Sequence, residues 1–239
     1  METALKFEGA GKKFGKSVVF DNLDFEVDCG GCLLFAGLNG AGKTTLVKCM
    51  LDFCALDSGR VEIFGMPHVA RRARARLAYL PERFNPPHYL KGKEFLAYAM
   101  TLYGAKTDAG KIRLMMEDLD FDPGALERSV KSYSKGMTQK LGLSACFLSG
   151  KDLFVLDEPT SGLDPKAKML LKAKFLELKA MGRTLFFTSH ALVDMADLCD
   201  TMIVLHGGAM KFSGSPDSLR KLSAENDLEQ GFLNCMGGK

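Results

Sequence analysis

The apolar positions along this chain change period several times, and each change marks an element. Leu5 and Phe7, then Leu23, Phe25 and Val27, alternate with polar neighbours, which predicts half-buried antiparallel strands. Residues 32–36 form an unbroken apolar run, predicted as a strand covered on both faces. Leu46, Val47, Met50, Leu51 and Cys54 then fall at helical spacing, so a helix follows the glycine-rich turn before them. Ser58-Gly59 is predicted to end that segment, with strands over 60–64 and 78–80, the latter stopped by Pro81. From about 84 to 150 the pattern is helical, over 95–103, 111–119 and 134–148, with Pro86-Pro87, Gly104 and Pro123-Gly124 as breaks. Strand and helix then alternate: 153–156, helix 167–181, 184–188, helix 191–198 and 202–205, with Gly207-Gly208 turning a hairpin into 210–212. Such alternation predicts an α/β fold with a mostly parallel sheet, preceded by an N-terminal antiparallel β-subdomain. The α-helical stretch becomes a subdomain inserted in one domain spanning 1–239.

Composition narrows the setting. The 239 residues are 46% hydrophobic, enough for a sizeable core. Net charge is +3, from 32 basic and 29 acidic residues, a balance that predicts no nucleic acid partner. The one basic run, Arg71-Arg72-Ala73-Arg74-Ala75-Arg76, reads as a solvated helix face. Seven cysteines sit in apolar stretches, which suits buried free thiols in a reducing compartment. Cys29 and Cys32 match a C-x-x-C spacing, but no second pair accompanies them to make a zinc or redox motif. No apolar stretch approaches the ~18 residues that span a membrane, so a soluble, cytoplasmic chain is expected.

The chemistry starts at Gly37-Leu38-Asn39-Gly40-Ala41-Gly42-Lys43-Thr44-Thr45, which fits G-x-x-x-x-G-K-[ST] between a predicted strand and helix. Its glycines let backbone N–H groups turn to phosphate, and the helix start adds its positive dipole end. Asn39, Gly40, Ala41, Gly42, Lys43, Thr44 and Thr45 are therefore expected to bind a nucleoside triphosphate. Lys43 would reach the β- and γ-phosphates and Thr44 would ligate Mg²⁺. The core is thus expected to be that of a P-loop NTPase. The apolar strand 153–156 ends in Asp157 and Glu158. Beside a phosphate loop, Asp157 is expected to hold the same Mg²⁺ and Glu158 to deprotonate the attacking water. His190, at the end of another such strand, is placed to sense the γ-phosphate. The lone Ser134 reads as a helix cap as well as anything else, above the apolar stripe Met137, Leu141, Ala145 and Leu148.

Taken together, residues 37–45, Ser134-Lys135-Gly136-Met137, residues 156–164 (Leu-Asp-Glu-Pro-Thr-Ser-Gly-Leu-Asp) and Ser189-His190 resemble the ordered motifs of ATP-binding cassette (ABC) ATPase subunits. The form Ser-Lys-Gly-Met, the stretch Tyr79-Leu80-Pro81-Glu82 and the tail 227–232 resemble the ABC-2-type exporter branch. The resemblance implies that Phe14 stacks on adenine and that Glu82 stands where most relatives place a glutamine meeting Mg²⁺ and water. It also implies a head-to-tail homodimer or heterodimer with a second ABC ATPase domain. Ser134 and Gly136 then serve an ATP held by the other chain, and 161–164 crosses to that partner. The implied function is ATP hydrolysis coupled to transport, driving an integral membrane permease on a separate chain. That partner would hold the protein peripherally at the cytoplasmic face. A soluble cassette ATPase acting on ribosomes or DNA, and a P-loop kinase, are the competing readings. The first usually carries two cassettes or coiled-coil insertions, and the second leaves 134–137 and 161–164 unexplained.

Overall fold

The computed structural model describes residues 2–192 and 194–237. Strands β1 (Thr3–Phe14) and β2 (Ser17–Asp28) open the chain as an antiparallel hairpin. Their register sets Leu5 opposite Val27 and Phe7 opposite Phe25, and those two rings stack 4.4 Å apart. After β3 (Cys32–Ala36) and α1 (Lys43–Met50), the chain returns to this sheet as β4 (Ser58–Ile63) and β5 (Met66–Pro67). The sheet order is β2-β1-β4-β5.

Strand β6 (Leu77–Leu80) leads to three helices, α2 (Gly92–Tyr103), α3 (Ala109–Asp118) and α4 (Lys135–Leu148). Then follow β7 (Leu153–Asp157), α5 (Pro165–Ala180), β8 (Thr184–Ser189), β9 (Thr201–His206) and β10 (Ala209–Gly214). Two short helices, α6 (Pro216–Arg220) and α7 (Leu228–Cys235), finish the described chain. The second sheet has the order β10-β9-β3-β8-β7-β6. Its strands run parallel except for the edge strand β10.

This larger sheet is apolar on both faces because it separates two cores. Cys32, Leu34 and Ala36 of β3 and Phe154 and Leu156 of β7 face a cluster built with α2, α4 and α5. Their neighbours Leu33, Phe35, Leu153 and Val155 face the opposite cluster, formed with α1 and the antiparallel sheet. The period-2 geometry of a strand thus feeds two layers from one short run. Helix starts are fixed by side chains: Ser134 Oγ accepts from the Met137 N–H at 3.2 Å, and Asp164 Oδ1 from the Ala167 N–H at 2.8 Å.

Three expectations are corrected. Of the helix predicted over 191–198, residue 193 lies outside the described residues, and the described part winds only as a 3₁₀ turn at Ala196–Leu198. Leu192, Met195, Ala196 and Cys199 are buried as the spacing suggested. Over so short a stretch, however, i→i+3 turns bury the same side chains as an α-helix. The basic run is solvated at Arg71, Arg72 and Arg76 as expected, but only 73–76 wind, as a 3₁₀ turn, and Arg74 is half-buried. Arg74 donates to the His68 carbonyl, while Arg76 pairs with Asp152 at 2.7 Å and lies 3.8 Å over the Phe64 ring. Ser58-Gly59 does not end the first helical segment: α1 stops at Met50, Leu51 and Cys54 lie past its end, and Ser58-Gly59 opens β4.

Gly59 is required there by geometry. It has φ +72, and a Cβ would run into the backbone carbonyls of Glu8 and Gly9 on β1. Gly59→Ala is expected to cost about 2 kcal/mol or more in unfolding free energy, combining left-handed strain with overpacking. Urea denaturation of the purified variant checks this. A cost under about 0.5 kcal/mol would show that β1 and β4 separate easily.

Candidate active site

Parallel pairing assembles the site. Ala36, the last residue of β3, lies opposite Ser189 at the end of β8, and Asp157 at the end of β7 lies opposite Thr188. The carboxyl ends of three central strands therefore open at one edge, where parallel α/β sheets hold ligands. Between β3 and α1 the chain makes its glycine-rich loop. Gly42 has φ +109, and a Cβ there would lie 2.6 Å from Val19 Cγ1. The loop is thus a backbone cradle, closed by β2, at a helix start whose first N–H groups lack intrahelical acceptors. Such a cradle fits the phosphates of a nucleotide.

Lys43 is buried beneath this loop. Its ammonium donates to the carbonyls of Gly37 at 2.7 Å and Leu38 at 3.3 Å, and lies 3.5 Å from Glu158 Oε1. His190 Nδ1 approaches the same Glu158 oxygen at 2.8 Å, while Ser189 Oγ donates to the other at 3.5 Å. Glu158 takes φ +52, a conformation costly for a residue with a side chain. Neighbours on two elements impose it. The Glu158 N–H donates to the Thr188 carbonyl at 3.1 Å, and its own carbonyl accepts from the Ser161 N–H at 3.1 Å. Buried Gln139 on α4 adds Nε2 contacts to the Glu158 carbonyl at 3.5 Å and the Pro159 carbonyl at 3.0 Å.

Asp157 is fully buried, at 0% exposure. Thr44 Oγ1 donates to its Oδ2 at 2.8 Å, and the Thr188 hydroxyl donates to Oδ1. Burial raises the carboxyl above the usual range, and the two threonine bonds and Lys43 oppose that shift. A carboxylate with two hydroxyl donors and a neighbouring phosphate cradle has the hard oxygen donor set that Mg²⁺ takes. Thr44, Asp157 and Glu82 are the candidate ligands. Glu82 is exposed and lines the same cleft of about 260 Å³ as Phe14, Val19, residues 39–45 and Glu158. Phe14 closes its outer end, 56% exposed, with the Lys12 ammonium 5.1 Å from its ring. His190 borders the cleft through Glu158.

Ser134 and Gly136 lie elsewhere. They line a separate hollow of about 520 Å³ with Phe121, Arg128, Lys140 and Asp164. Among the described residues the two hollows share no lining residue, and a third lies between them, sharing Glu82 with the cleft and Lys135 with the hollow of Ser134. Thr188 and Gln139 had no motif to mark them. Thr188 matters because of strand pairing, and Gln139 because α4 passes beneath Glu158.

A family model described as ABC transporter matches residues 20–161. A Synechocystis protein, an uncharacterized ABC transporter ATP-binding protein, is 36% identical over 196 residues, 81% of this chain. It is longer, and this chain spans 55% of its length. The Nod factor export ATP-binding protein I of Paraburkholderia xenovorans is 33% identical over 224 residues, covering 91% of this chain and 73% of the relative. The solved structure of an ATP binding subunit of an ABC transporter superposes with a TM-score of 0.87 at 27% identity. That alignment covers 97% of this chain and 99% of the other.

The Asp157 environment has a consequence for stability. A carboxyl whose folded value is raised favours the fold when protonated, and that advantage disappears as pH rises through the raised value. At neutral pH the ionised group is therefore a cost. Asp157→Asn is expected to raise the Tm of the nucleotide-free protein at pH 7.5. The gain should shrink as pH is lowered toward 5. Calorimetry across that range tests it, and a destabilised Asn variant at pH 7.5 would refute the assignment.

Proposed function

This chain belongs to the ABC transporter family, and on that premise we propose that it is the ATP-hydrolysing subunit of a two-cassette assembly that drives a separate membrane protein in the export direction. The separation of the two hollows carries the proposal. A serine-capped helix start suited to an anion faces no phosphate loop of its own chain, so the loop of a second cassette completes it. The similarity to an export ATP-binding protein supports the direction. Among the described residues no helix is long and apolar enough to cross a membrane. The protein then works peripherally at the cytoplasmic face. Residues 84–150 serve as its helical subdomain, and that subdomain together with the loop 82–89 forms the docking surface.

Each residue has a role in this reading. Phe14 stacks on adenine. The loop N–H groups from Asn39 to Thr45 hold the phosphate oxygens, and Lys43 turns from the Gly37 carbonyl to the β- and γ-phosphates. Thr44, Asp157 and Glu82 would hold Mg²⁺, which would neutralise charge on those oxygens. Glu158 Oε takes a proton from the attacking water as its oxygen bonds to the γ-phosphorus and the bond to the bridging oxygen breaks. ADP and phosphate are the products. His190 orients Glu158 through the 2.8 Å contact and reaches the γ-phosphate with its other ring nitrogen. Before nucleotide enters, Lys43 lies 3.5 Å from the same carboxylate.

Glu158→Gln keeps the shape and the neighbours but removes the basic oxygen. Turnover should fall about 10²–10⁴-fold, the usual cost of losing one positioned general base. ATP binding persists, so a Mg-ATP-dependent dimer should accumulate on size-exclusion chromatography. Turnover at the wild-type rate would remove Glu158 from the base role.

The two-chain arrangement is tested by mixing. Lys43→Ala breaks the phosphate loop, and Ser134→Arg obstructs the other side. Each homodimer has two broken sites. A mixed dimer has one site broken twice and one intact, so mixing should restore part of the ATPase activity. Wild type mixed with Lys43→Ala shows whether one intact site suffices. If that control turns over while the two variants together stay inactive, Ser134 serves only as a helix cap.

A further inference from the structure

The start of α4 carries a lysine whose side chain crosses to the loop that follows Glu158. Lys135 Nζ donates to Ser161 Oγ at 2.9 Å. Its stem lies along Gly162, which has φ +77, and a Cβ on that glycine would meet the lysine Cγ and Cδ at 2.9 Å. The backbones touch beside it, since a Cβ on Gly136 would lie 2.9 Å from the Gly162 carbonyl oxygen. Farther along α4, Gln139 holds the Glu158 and Pro159 carbonyls, and the Ser161 N–H bonds the Glu158 carbonyl at 3.1 Å. Helix start, crossing loop and the strained peptide of Glu158 are therefore fastened at several successive points.

We propose that Lys135 is a positioning residue for ATP hydrolysis, fastening residues 159–164 to the start of α4 so that contact made at Ser134 and Gly136 is passed to Glu158 of the same chain. The relay rests on the reading that those two residues meet the ATP of a second cassette, whereas the fastening itself lies within one chain. The chemistry suits a tether. Lys135 is exposed, and its long stem would be free to sample many rotamers. Packed on Gly162 and bonded to Ser161, it instead bridges α4 and this loop, beside the Gln139 bond to the Pro159 carbonyl farther along the helix. A base must be held in attack geometry, and small displacements of such groups cost rate rather than affinity. Two sites built head to tail would then be coupled, because ATP gripped at the start of one chain's α4 steadies that chain's own base.

A double-mutant cycle on the full chain tests this. Lys135→Met and Ser161→Ala should each lower kcat about 5-fold, leave KM for ATP within about 2-fold, and move the Hill coefficient toward one. The double variant should be no slower than either single variant, and Lys135→Arg, which still donates, should recover most of the rate. Both side chains reach solvent, so Tm should stay within about 2 °C, and a larger drop is avoided by repeating the cycle with Lys135→Gln. Multiplying losses in the double variant would overturn the tether. So would a Lys135→Met that raises KM while Ser161→Ala does nothing, the pattern of a lysine that grips phosphate directly. The two-chain reading is scored separately by ATP-dependent dimerisation of Glu158→Gln. If that variant never dimerises, the head-to-tail assembly fails, and the cycle in kcat still decides whether Lys135 positions Glu158.

Discussion

A carboxylate with no solvent exposure, held between the first turn of α1 and the end of β8, organises this molecule. Asp157 accepts from Thr44 on one side and Thr188 on the other, which pins the phosphate-loop helix to the two strands that carry the acids and the histidine. Removing an ionised group from water costs several kcal/mol unless its lone pairs are used. Two hydroxyls offset part of that cost, and the raised carboxyl reports the remainder. A divalent cation would offset it further. The site is thus least comfortable without its ligand, the usual trade between stability and activity.

Around that carboxylate the other polar groups form one network. Lys43, His190 and Ser189 all reach the Glu158 side chain, and Thr188 serves both acids, through its hydroxyl to Asp157 and its carbonyl to the Glu158 N–H. The left-handed Glu158 backbone is tolerated because strand β8, helix α4 and the loop after it each hold part of its peptide. Strain of this kind persists only where surrounding contacts over-determine it. Its effect is to turn the carboxylate into the cleft beside the phosphate loop instead of along the strand.

What could be read from the sequence follows from what is contiguous. The phosphate loop, the strand ending in two acids and the serine cap are local patterns, and each lies where its spacing indicated. Strands β1 and β2 run for twelve residues each, well beyond the alternation that marked them. Register shifts between Phe7 and Ala10 and between Ala10 and Lys12 break the period there, so the pattern was lost although the pairing continues. Thr188 was invisible because its importance comes from standing opposite Asp157 across two strands, and strand order is not written in either segment. Gln139 was masked by the helix stripe around it. The 191–198 segment failed for a different reason, since its burial was legible but its winding was not.

Helix α4 is where these observations converge. Its first residues line the hollow with Ser134, and Gln139 holds the peptide of Glu158. At Gly142 the helix passes so close to Leu80 and Phe84 that a Cβ would lie 2.6 Å from the leucine and 2.8 Å from the phenylalanine. Those two residues bracket Pro81 and Glu82, so one rigid rod bears on the loop carrying Glu82 and on the loop carrying Glu158. Its apolar side, Leu141, Ala145 and Phe147, belongs to the same cluster as Phe154 and Leu156 of β7. Close-packed interiors transmit displacement instead of absorbing it. A shift of α4 must therefore move both acids relative to the phosphate loop, or neither. Helix α4 thus packs at once on the segment that carries Glu82 and on the peptide of Glu158, so its position bears on both sides of the cleft.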